Sequence, residues 1–374
     1  MIYLDNAATT LPDPQVVEAI SETLHLYPGN PSSLHKLGRE AARLLSSCRE
    51  TILQALGGNG SLIFTSGGTE SNNWAIYGAL HLMRHKGRHI ISTTIEHDAI
   101  LAPLRELGDR GYEISLLQPD ASGQISAEAL ANVLRADTAL VSVMQVNNET
   151  GAVLPIREMA EIVHRKSKAL FHTDAVQAFG KIPVCPSALD VDLLSVSAHK
   201  LHGPCGIGAL WIREGIKLPP LLRGGGQEGG LRSGTEALHN IAGFAKAVEL
   251  SMARLSETSV HLQSLQTYLR ETLPLSLPKV RFLPQGAPHI VSLSIPGTKS
   301  EVLMNYLDSR DIYLSHASAC KRGGRSHVLS AMRLPADVID GTIRVSFSYE
   351  TSLGDLDKLI SALTEACTTL FPRL

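Results

Sequence analysis

The sequence predicts an α/β fold in which a large domain, built on a mostly parallel sheet covered by helices, is joined to a smaller α/β C-terminal domain. Short apolar segments alternate with amphipathic segments through the first two thirds of the 374 residues. Strands of a parallel sheet are buried on both faces, so their sequences are apolar throughout and do not alternate between apolar and polar residues. Apolar segments of this kind, separated by amphipathic helices, favour a parallel sheet covered by helices. Near the C terminus the order changes to paired helices followed by mixed strands and helices. We therefore predict a large domain over residues 14–255 and a small domain from residues 1–13 and 256–374.

The individual elements follow from the apolar periodicity. Short runs rich in Ile, Val and Leu predict strands, and longer runs with apolar residues on one helical face predict helices. The predicted strands of the large domain are 61–65, 89–92, 112–117, 139–144, 170–173, 192–197 and 209–212. The predicted helices between them are 69–86, 99–110, 127–135 and 155–168. Toward the C terminus the prediction is two helical stretches between 236 and 272, helices at 300–309 and 353–370, and strands at 290–295 and 342–347.

The composition excludes several classes of protein. Hydrophobic residues make up 44% and charged residues 19% of the chain, which is typical of a globular protein. The formal net charge of -2 gives no reason to expect a nucleic acid or an anionic membrane as a partner. No apolar run approaches the roughly 20 residues that cross a bilayer, and the residues after Met1 lack the pattern of a targeting segment. The five cysteines are an odd number without a C-x-x-C pair, which favours a reducing compartment, and we predict the cytoplasm.

Ligands of open parallel sheets lie beyond the carboxyl ends of the strands, so the residues there are candidate site residues. Gly68 and Thr69 follow strand 61–65 and open a helix, whose N–H groups could bind a phosphate. An ordinary capped strand-to-helix turn explains the same residues. His97 follows the next strand and could stack on a planar ligand or cap a helix.

Asn148 and Asp174 follow two further predicted strands. The amide of Asn148 could read the oxygen atoms of a ligand, although Asn also favours turns. A carboxylate such as Asp174 at the end of a buried strand is costly unless it meets a cation, and a pyridinium N–H would be such a partner. The alternative is that Asp174 caps a helix.

Lys200 follows strand 192–197, which should deliver its amine into a site rather than to solvent. A desolvated lysine loses proton affinity and becomes a nucleophile for Schiff-base formation. The spacing of His199, His202 and Cys205 admits a metal site, but the Gly-Pro pair between them breaks any helix that would align them. We therefore predict no metal.

Two glycine-rich segments complete the pattern. Residues 223–235 do not match the G-x-G-x-x-G dinucleotide fingerprint, which counts against an NAD-dependent oxidoreductase. Cys320 lies beside Lys321, Arg322 and Arg325, and such cations favour the thiolate, although an incidental neighbourhood is the alternative. Taken together, an amine, an acid and a helix N terminus are the groups that pyridoxal 5′-phosphate requires.

In order and spacing, these motifs resemble the cysteine desulfurases of the class V aminotransferase group, which are fold type I enzymes that depend on pyridoxal 5′-phosphate. The resemblance runs nearly end to end. It is carried by residues 3–10, 29–33, 65–70, 96–97, 146–149, 174–177, 197–200, 232–235, 318–320 and 343–346.

The resemblance implies how the cofactor is held. Lys200 would carry it covalently and later move the Cα proton of the substrate, Asp174 would keep the ring nitrogen protonated, and His97 would stack on the ring. Gln177 and Asn148 would address the ring oxygen. The residues implied at the phosphate are Gly68, Thr69, Ser197, His199 and, from the second subunit of a homodimer, Thr235.

The resemblance also implies the reaction. Arg344 would pair with the carboxylate of L-cysteine, assisted by Asn148, and Cys320 would take the substrate sulfur as a persulfide and leave alanine. The persulfide would pass to an acceptor protein, an iron–sulfur scaffold or a tRNA-thiolation enzyme. The chain departs from the family pattern in a short, basic segment at 321–326 and in Cys205, which stands where lysine is common.

Two other interpretations remain beside the desulfurase. A selenocysteine lyase or a related β-eliminating enzyme would turn over its natural substrate without Cys320. A non-catalytic scaffold would have lost the lysine, the acid or the arginine, yet Lys200, Asp174 and Arg344 are all present. The sequence favours the desulfurase.

Overall fold

The computed structural model of the chain describes residues 1–316 and 325–372. The strands of these residues are β1 Ile2–Tyr3, β2 Ser61–Thr65, β3 His89–Thr93, β4 Glu113–Leu117, β5 Thr138–Ser142, β6 Leu170–Asp174, β7 Leu193–Ser197, β8 Gly208–Ile212, β9 Arg281–Phe282, β10 Ile290–Ser294, β11 Ile312–Tyr313, β12 Ser315–His316 and β13 Thr342–Ser346. The helices are α1 Pro14–Leu26, α2 Lys36–Ala55, α3 Gly68–Met83, α4 Asp98–Asp109, α5 Ala127–Val133, α6 Ile156–Lys166, α7 Pro186–Leu189, α8 Leu238–Ala253, α9 Leu255–Ser276, α10 Ser300–Asp308, α11 His327–Ala331, α12 Ala336–Asp340 and α13 Leu353–Leu370.

Seven strands of the described chain form the central sheet, in the order β2-β8-β7-β6-β5-β3-β4. Neighbours pair in parallel except at β8, which runs antiparallel to both β2 and β7. The predicted α/β fold with a mostly parallel sheet is confirmed, and the direction of β8 is a feature that the prediction lacked. Because the other six strands run the same way, their carboxyl ends meet at one edge of the sheet.

Helices cover both faces of this sheet, and successive residues of one strand pack on opposite faces. Ile90 lies in the cluster that contains Trp74 of α3, whereas Ile91 lies in the cluster on the other face. Leu193 and Leu194 of β7 divide in the same way. Since side chains alternate along a strand, burial of both faces demands the unbroken apolar runs that predicted these strands.

A second sheet, the antiparallel β12-β13-β10-β9, lies toward the C terminus. Its hydrophobic cluster includes residues of α9, α10 and α13 and is distinct from those of the central sheet. Strand β1 pairs in parallel with β11, with Ile2 opposite Ile312, so the start of the chain packs with its C-terminal part. The domain boundaries at residues 13 and 255 remain predictions.

Helices α1 and α2 occupy a region for which the sequence analysis names no element. The start of α1 nevertheless carries a recognisable signal, because the Asp13 carboxylate accepts a hydrogen bond from the Gln15 N–H at 3.0 Å and Pro14 occupies the first helical position.

Candidate active site

A cavity of about 350 Å³ opens at the carboxyl edge of the central sheet, where the sequence predicted a ligand site. Every predicted site residue except Thr235 and Cys320 lines it. The lining residues are Ala7, Ala8, Gly68, Thr69, Asn72, His97, Ala99, Met144, Val146, Asn148, Asp174, Val176, Gln177, Ser197, His199, Lys200 and Arg344. The structure thus brings together residues that are more than 300 positions apart in the chain, although their individual roles remain predictions.

The N terminus of α3 forms one end of the cavity. Gly67 precedes it with a φ of 151°, and no side chain caps the helix, so its first N–H groups face the cavity without a side-chain acceptor. A Cβ on Gly68 would lie 2.8 Å from Cγ2 of Val176, which leaves no room for a side chain there. Together with the neighbouring Ser197 and His199, this end has the donors that an anionic group such as a phosphate needs.

Asp174 is the last residue of β6 and is only 6% exposed. One carboxylate oxygen accepts a hydrogen bond from Asn72 Nδ2 at 2.6 Å, and the other accepts the Val176 N–H at 2.9 Å. Among the described residues, no lysine, arginine or histidine forms an ion pair with this carboxylate. A buried carboxylate that accepts these two hydrogen bonds from neutral donors suits a cationic ligand atom.

Lys200 ends the short helical turn that follows β7. Its Nζ donates hydrogen bonds to the carbonyl oxygens of Ala7 at 2.7 Å and Ala8 at 2.6 Å. Gln177 Nε2 also donates to the Ala7 oxygen, at 2.8 Å. The segment after β1 is therefore a wall of the cavity and orients the lysine amine, a role that the sequence analysis did not assign to it.

Two histidines lie at the cavity. His97 Nδ1 accepts the Ala99 N–H at 3.1 Å and so caps α4, while its ring lines the cavity. Capping and stacking, which the sequence left as alternatives, are thus compatible. Burial, followed by the positive charge of Lys200, lowers the pKa of His199 to about 4, so this imidazole is neutral at pH 7 and acts through hydrogen bonds.

The metal interpretation of His199, His202 and Cys205 finds no geometric basis. His199 Nδ1 lies 3.2 Å from Thr9 Oγ1, and His202 Nδ1 lies 2.8 Å from the Leu11 oxygen. Within residues 1–316 and 325–372, no group of three or more His, Cys, Asp or Glu side chains is arranged to hold a metal ion.

Arg344 lies on β13 and is 2% exposed. Its Nη1 donates to the backbone oxygen of Asn148 at 2.8 Å, and its Nη2 donates to Asp5 Oδ1 at 2.8 Å. The Nε atom is buried and has no hydrogen-bond partner in the described part of the chain. Each Nη atom carries two N–H groups and donates one hydrogen bond to the described residues, so this arginine at the cavity has further donors for a carboxylate.

The remaining predicted site residues lie elsewhere. Thr235 is exposed and does not line the cavity of its own chain. Cys320, with Lys321 and Arg322, lies outside the described residues. Of the cations predicted beside the thiol, Arg325 is described, and its Nε donates to Asp340 Oδ1 at 2.8 Å.

Glu96 is a buried carboxyl group to which the sequence analysis assigned no role. It is fully buried, and its Oε1 accepts hydrogen bonds from the Met144 N–H at 3.0 Å and from Thr93 Oγ1 at 2.8 Å. Burial raises the pKa of Glu96 to about 8, and the nearby charge of Asp174 adds to this rise. Glu96 is therefore largely protonated at pH 7.

Glu96→Gln should stabilise the protein at high pH and change little at low pH. A carboxyl whose pKa is raised by folding contributes stability below its unfolded value of 4.5, and this stability is lost as the pH rises through 8. Glutamine mimics the protonated acid and cannot ionise, so its advantage should grow to the order of a few kcal/mol. Urea unfolding of both proteins at pH 5, 7 and 9 measures the difference; a difference that does not change with pH would contradict the assignment.

The donor set of the cavity fits pyridoxal 5′-phosphate. It contains an amine at Lys200, a buried carboxylate at Asp174 and an uncapped helix N terminus at Gly68. Asn72 Oδ1 is also buried without a partner in the described chain, so the amide that supports Asp174 can still reorient.

The chain is similar in sequence to a known family of enzymes. A sequence model of the class-V aminotransferases matches residues 2–359, and the chain belongs to this family. Within it, the chain is 40% identical to the cysteine desulfurase IscS of Methanosarcina thermophila over 372 residues, which cover 97% of this chain and 91% of that relative.

Solved structures of related proteins are also similar to this chain. A NifS-like protein is similar with a TM-score of 0.93 and 35% identity, covering 98% of this chain and 99% of that one. A structure titled SspA in complex with cysteine is similar with a TM-score of 0.80 and 31% identity, covering 94% of this chain and 100% of that one. The predicted fold type, enzyme class and cysteine desulfurase family are confirmed, and the lyase and scaffold alternatives are not favoured.

None of the described helices has both the length and the apolar character that a bilayer crossing demands.

Proposed function

We propose that the protein uses pyridoxal 5′-phosphate to convert L-cysteine to L-alanine and collects the sulfur as a persulfide on Cys320. The observation that carries the proposal is the convergence of Lys200, Asp174 and Arg344 on one cavity, in a chain whose relatives are named cysteine desulfurases. When bound, the cofactor supplies an electron sink for negative charge that develops on the substrate.

The cavity residues would hold the cofactor in one orientation. Lys200 would bind it covalently, Asp174 would hold a proton on its ring nitrogen, and His97 would lie against the ring. Gln177 and Asn148 would address the ring oxygen. The residues proposed for the phosphate are Gly68, Thr69, Ser197, His199 and, from a partner subunit, Thr235.

Arg344 and Lys200 would have different roles toward the substrate. The Arg344 guanidinium would bind the carboxylate of L-cysteine through N–H groups that are not donated to Asn148 and Asp5, assisted by Asn148. The Lys200 amine would then move the Cα proton, because it lines the same cavity.

The transfer of sulfur from L-cysteine to Cys320 requires no added oxidant. The Cβ–S bond of the substrate breaks, an S–S bond to Cys320 Sγ forms, and a proton takes the place of sulfur on Cβ. The products are L-alanine and a persulfide, from which an acceptor protein, an iron–sulfur scaffold or a tRNA-thiolation enzyme, would take the outer sulfur.

A homodimer in the cytoplasm is part of the proposal. Thr235 is exposed in the single chain, so a second copy is needed to bring it to the phosphate end of the cavity. Leu24, Leu26 and Leu34 are exposed near the N terminus and offer apolar surface for an interface. The described cysteines are unpaired, which agrees with a reducing compartment.

Cys320→Ala should lose the formation of alanine from L-cysteine, because the variant lacks the thiol that accepts the substrate sulfur. We expect native protein with a thiol reductant to make alanine and the variant to make at least about tenfold less, while both retain the absorption of the lysine-bound cofactor. Equal alanine formation by both proteins would overturn Cys320 as the sulfur carrier and revive the lyase interpretation. Absence of alanine from the native protein would overturn the choice of substrate.

A further inference from the structure

The described residues directly after the segment that holds Cys320 are hydrogen-bonded to residues that adjoin the lining of the cavity. Ser326 Oγ donates a hydrogen bond to Glu149 Oε2, although the two residues are 177 positions apart. Glu149 is 4% exposed and Ser326 is 3% exposed, so water competes little for this contact. Glu149 follows Asn148, whose side chain lines the cavity.

The Ser326 hydroxyl forms two hydrogen bonds. Besides donating to Glu149, Oγ accepts the Leu329 N–H at 3.0 Å and caps α11. The contact with Glu149 therefore fixes the position of the whole first turn of α11. The next residue adds a second anchor, since His327 Nε2 lies 3.1 Å from the backbone oxygen of Glu96, which precedes His97.

The backbone at Glu149 is also held by hydrogen bonds. The Glu149 N–H donates to Asn147 Oδ1 at 2.9 Å, and Asn147 Nδ2 donates to the Ile95 oxygen at 2.9 Å. The Asn148 oxygen accepts Arg344 Nη1. Glu149 thus belongs to a network that also holds the arginine proposed for the substrate carboxylate.

On the other side of residues 317–324, the chain is held by a strand pair. Ser315 of β12 lies opposite Arg344 in the antiparallel pairing with β13. The two described ends of this segment are therefore anchored near the same guanidinium, one through the sheet and the other through Glu149 and Ser326.

We propose that Glu149 is a positioning residue for sulfur transfer, which acts through Ser326 to fix the point at which the chain leaves the Cys320 segment. The inference rests on the proposed function of Cys320 as the sulfur carrier. Glu149 itself touches neither the substrate nor the cofactor in this account. Its loss should slow the transfer of sulfur while leaving substrate binding and cofactor attachment intact.

Single-turnover alanine formation from L-cysteine, without reductant, tests this step directly, because each subunit can then load only its own thiol. Glu149→Leu and Ser326→Ala each remove one partner of the hydrogen bond, and each should slow alanine formation about tenfold. The Michaelis constant for L-cysteine and the absorption of the lysine-bound cofactor should stay near native values. The double variant should be no slower than the slower single variant, because both changes break one contact.

Conservative variants supply the matched controls. Burial raises the pKa of Glu149 to about 7, so glutamine, which mimics the neutral acid, can still accept the Ser326 hydroxyl. Glu149→Gln and Ser326→Thr should therefore keep native rates of sulfur transfer. Recovery in both would exclude a general loss of structure as the cause of slowing in the leucine and alanine variants.

Different results would contradict the positioning role of Glu149 and the proposed function of Cys320. Native single-turnover rates in either Glu149→Leu or Ser326→Ala, or additive effects in the double variant, would overturn the positioning role. Alanine formation at the native rate by Cys320→Ala in the same assay would instead overturn the proposed function.

Discussion

Lys200→Ala should abolish the absorption band of the lysine-bound cofactor and lower the rate of alanine formation at least about 10³-fold. The expected effect is large because one amine carries two tasks, covalent attachment of the cofactor and movement of the Cα proton. Its Nζ lies at the cavity, hydrogen-bonded to the Ala7 and Ala8 oxygens. Absorption spectra and steady-state alanine formation on protein reconstituted with the cofactor provide the two measurements.

Lys217→Ala is the matched control for this experiment. Lys217 is an exposed lysine in the segment after β8 and lines no part of the cavity. It should keep both the band and the rate. An unchanged band in Lys200→Ala would refute the assignment of this lysine, whatever the rate.

The central sheet could be predicted because its strands are buried on both faces and are punctuated by polar or glycine-rich turns. The predicted strands 61–65 and 192–197 match Ser61–Thr65 and Leu193–Ser197 within one residue. The reversed direction of β8 could not be predicted, since an apolar run carries no sign of its direction. Helix α1 was missed although Asp13 and Pro14 signal its start.

The cavity could be predicted only as far as strand order allows. Residues at the carboxyl ends of parallel strands must share an edge, which is why His97, Asp174 and Lys200 were grouped correctly. Contacts made by side chains from helix interiors or from the N-terminal segment follow no such rule. Asn72, whose amide meets Asp174 across 102 positions, was therefore missed.

The contact between Glu149 and Ser326 belongs to the same class of long-range pairs. Each residue has an ordinary local explanation, since Glu149 follows a pair of asparagines and Ser326 caps a helix. Only the packing of the C-terminal part against the central sheet brings them together. Long-range hydrogen bonds of this kind are a property of the folded chain rather than of a motif.

Asp174→Asn should lower the turnover number for alanine formation about 100-fold or more while the cofactor stays attached to Lys200. Asparagine keeps the shape of the side chain, and its oxygen can still accept the Val176 N–H. Its amide would face the Asn72 amide, but Asn72 can turn its unpartnered Oδ1 toward it, so the variant should fold. What is lost is the buried negative charge that favours a proton on the ring nitrogen.

Asp192→Asn separates loss of this charge from loss of a buried carboxylate in general. Asp192 is also 6% exposed, but it lies just before β7, at the opposite end of the strand from Lys200. It accepts a hydrogen bond from the Phe171 N–H at 2.8 Å and forms an ion pair with Arg213 Nε at 3.0 Å, so its replacement should lower stability without changing the turnover number. A native turnover number in Asp174→Asn, or an equal loss in both variants, would show that the charge of Asp174 does not act on the cofactor.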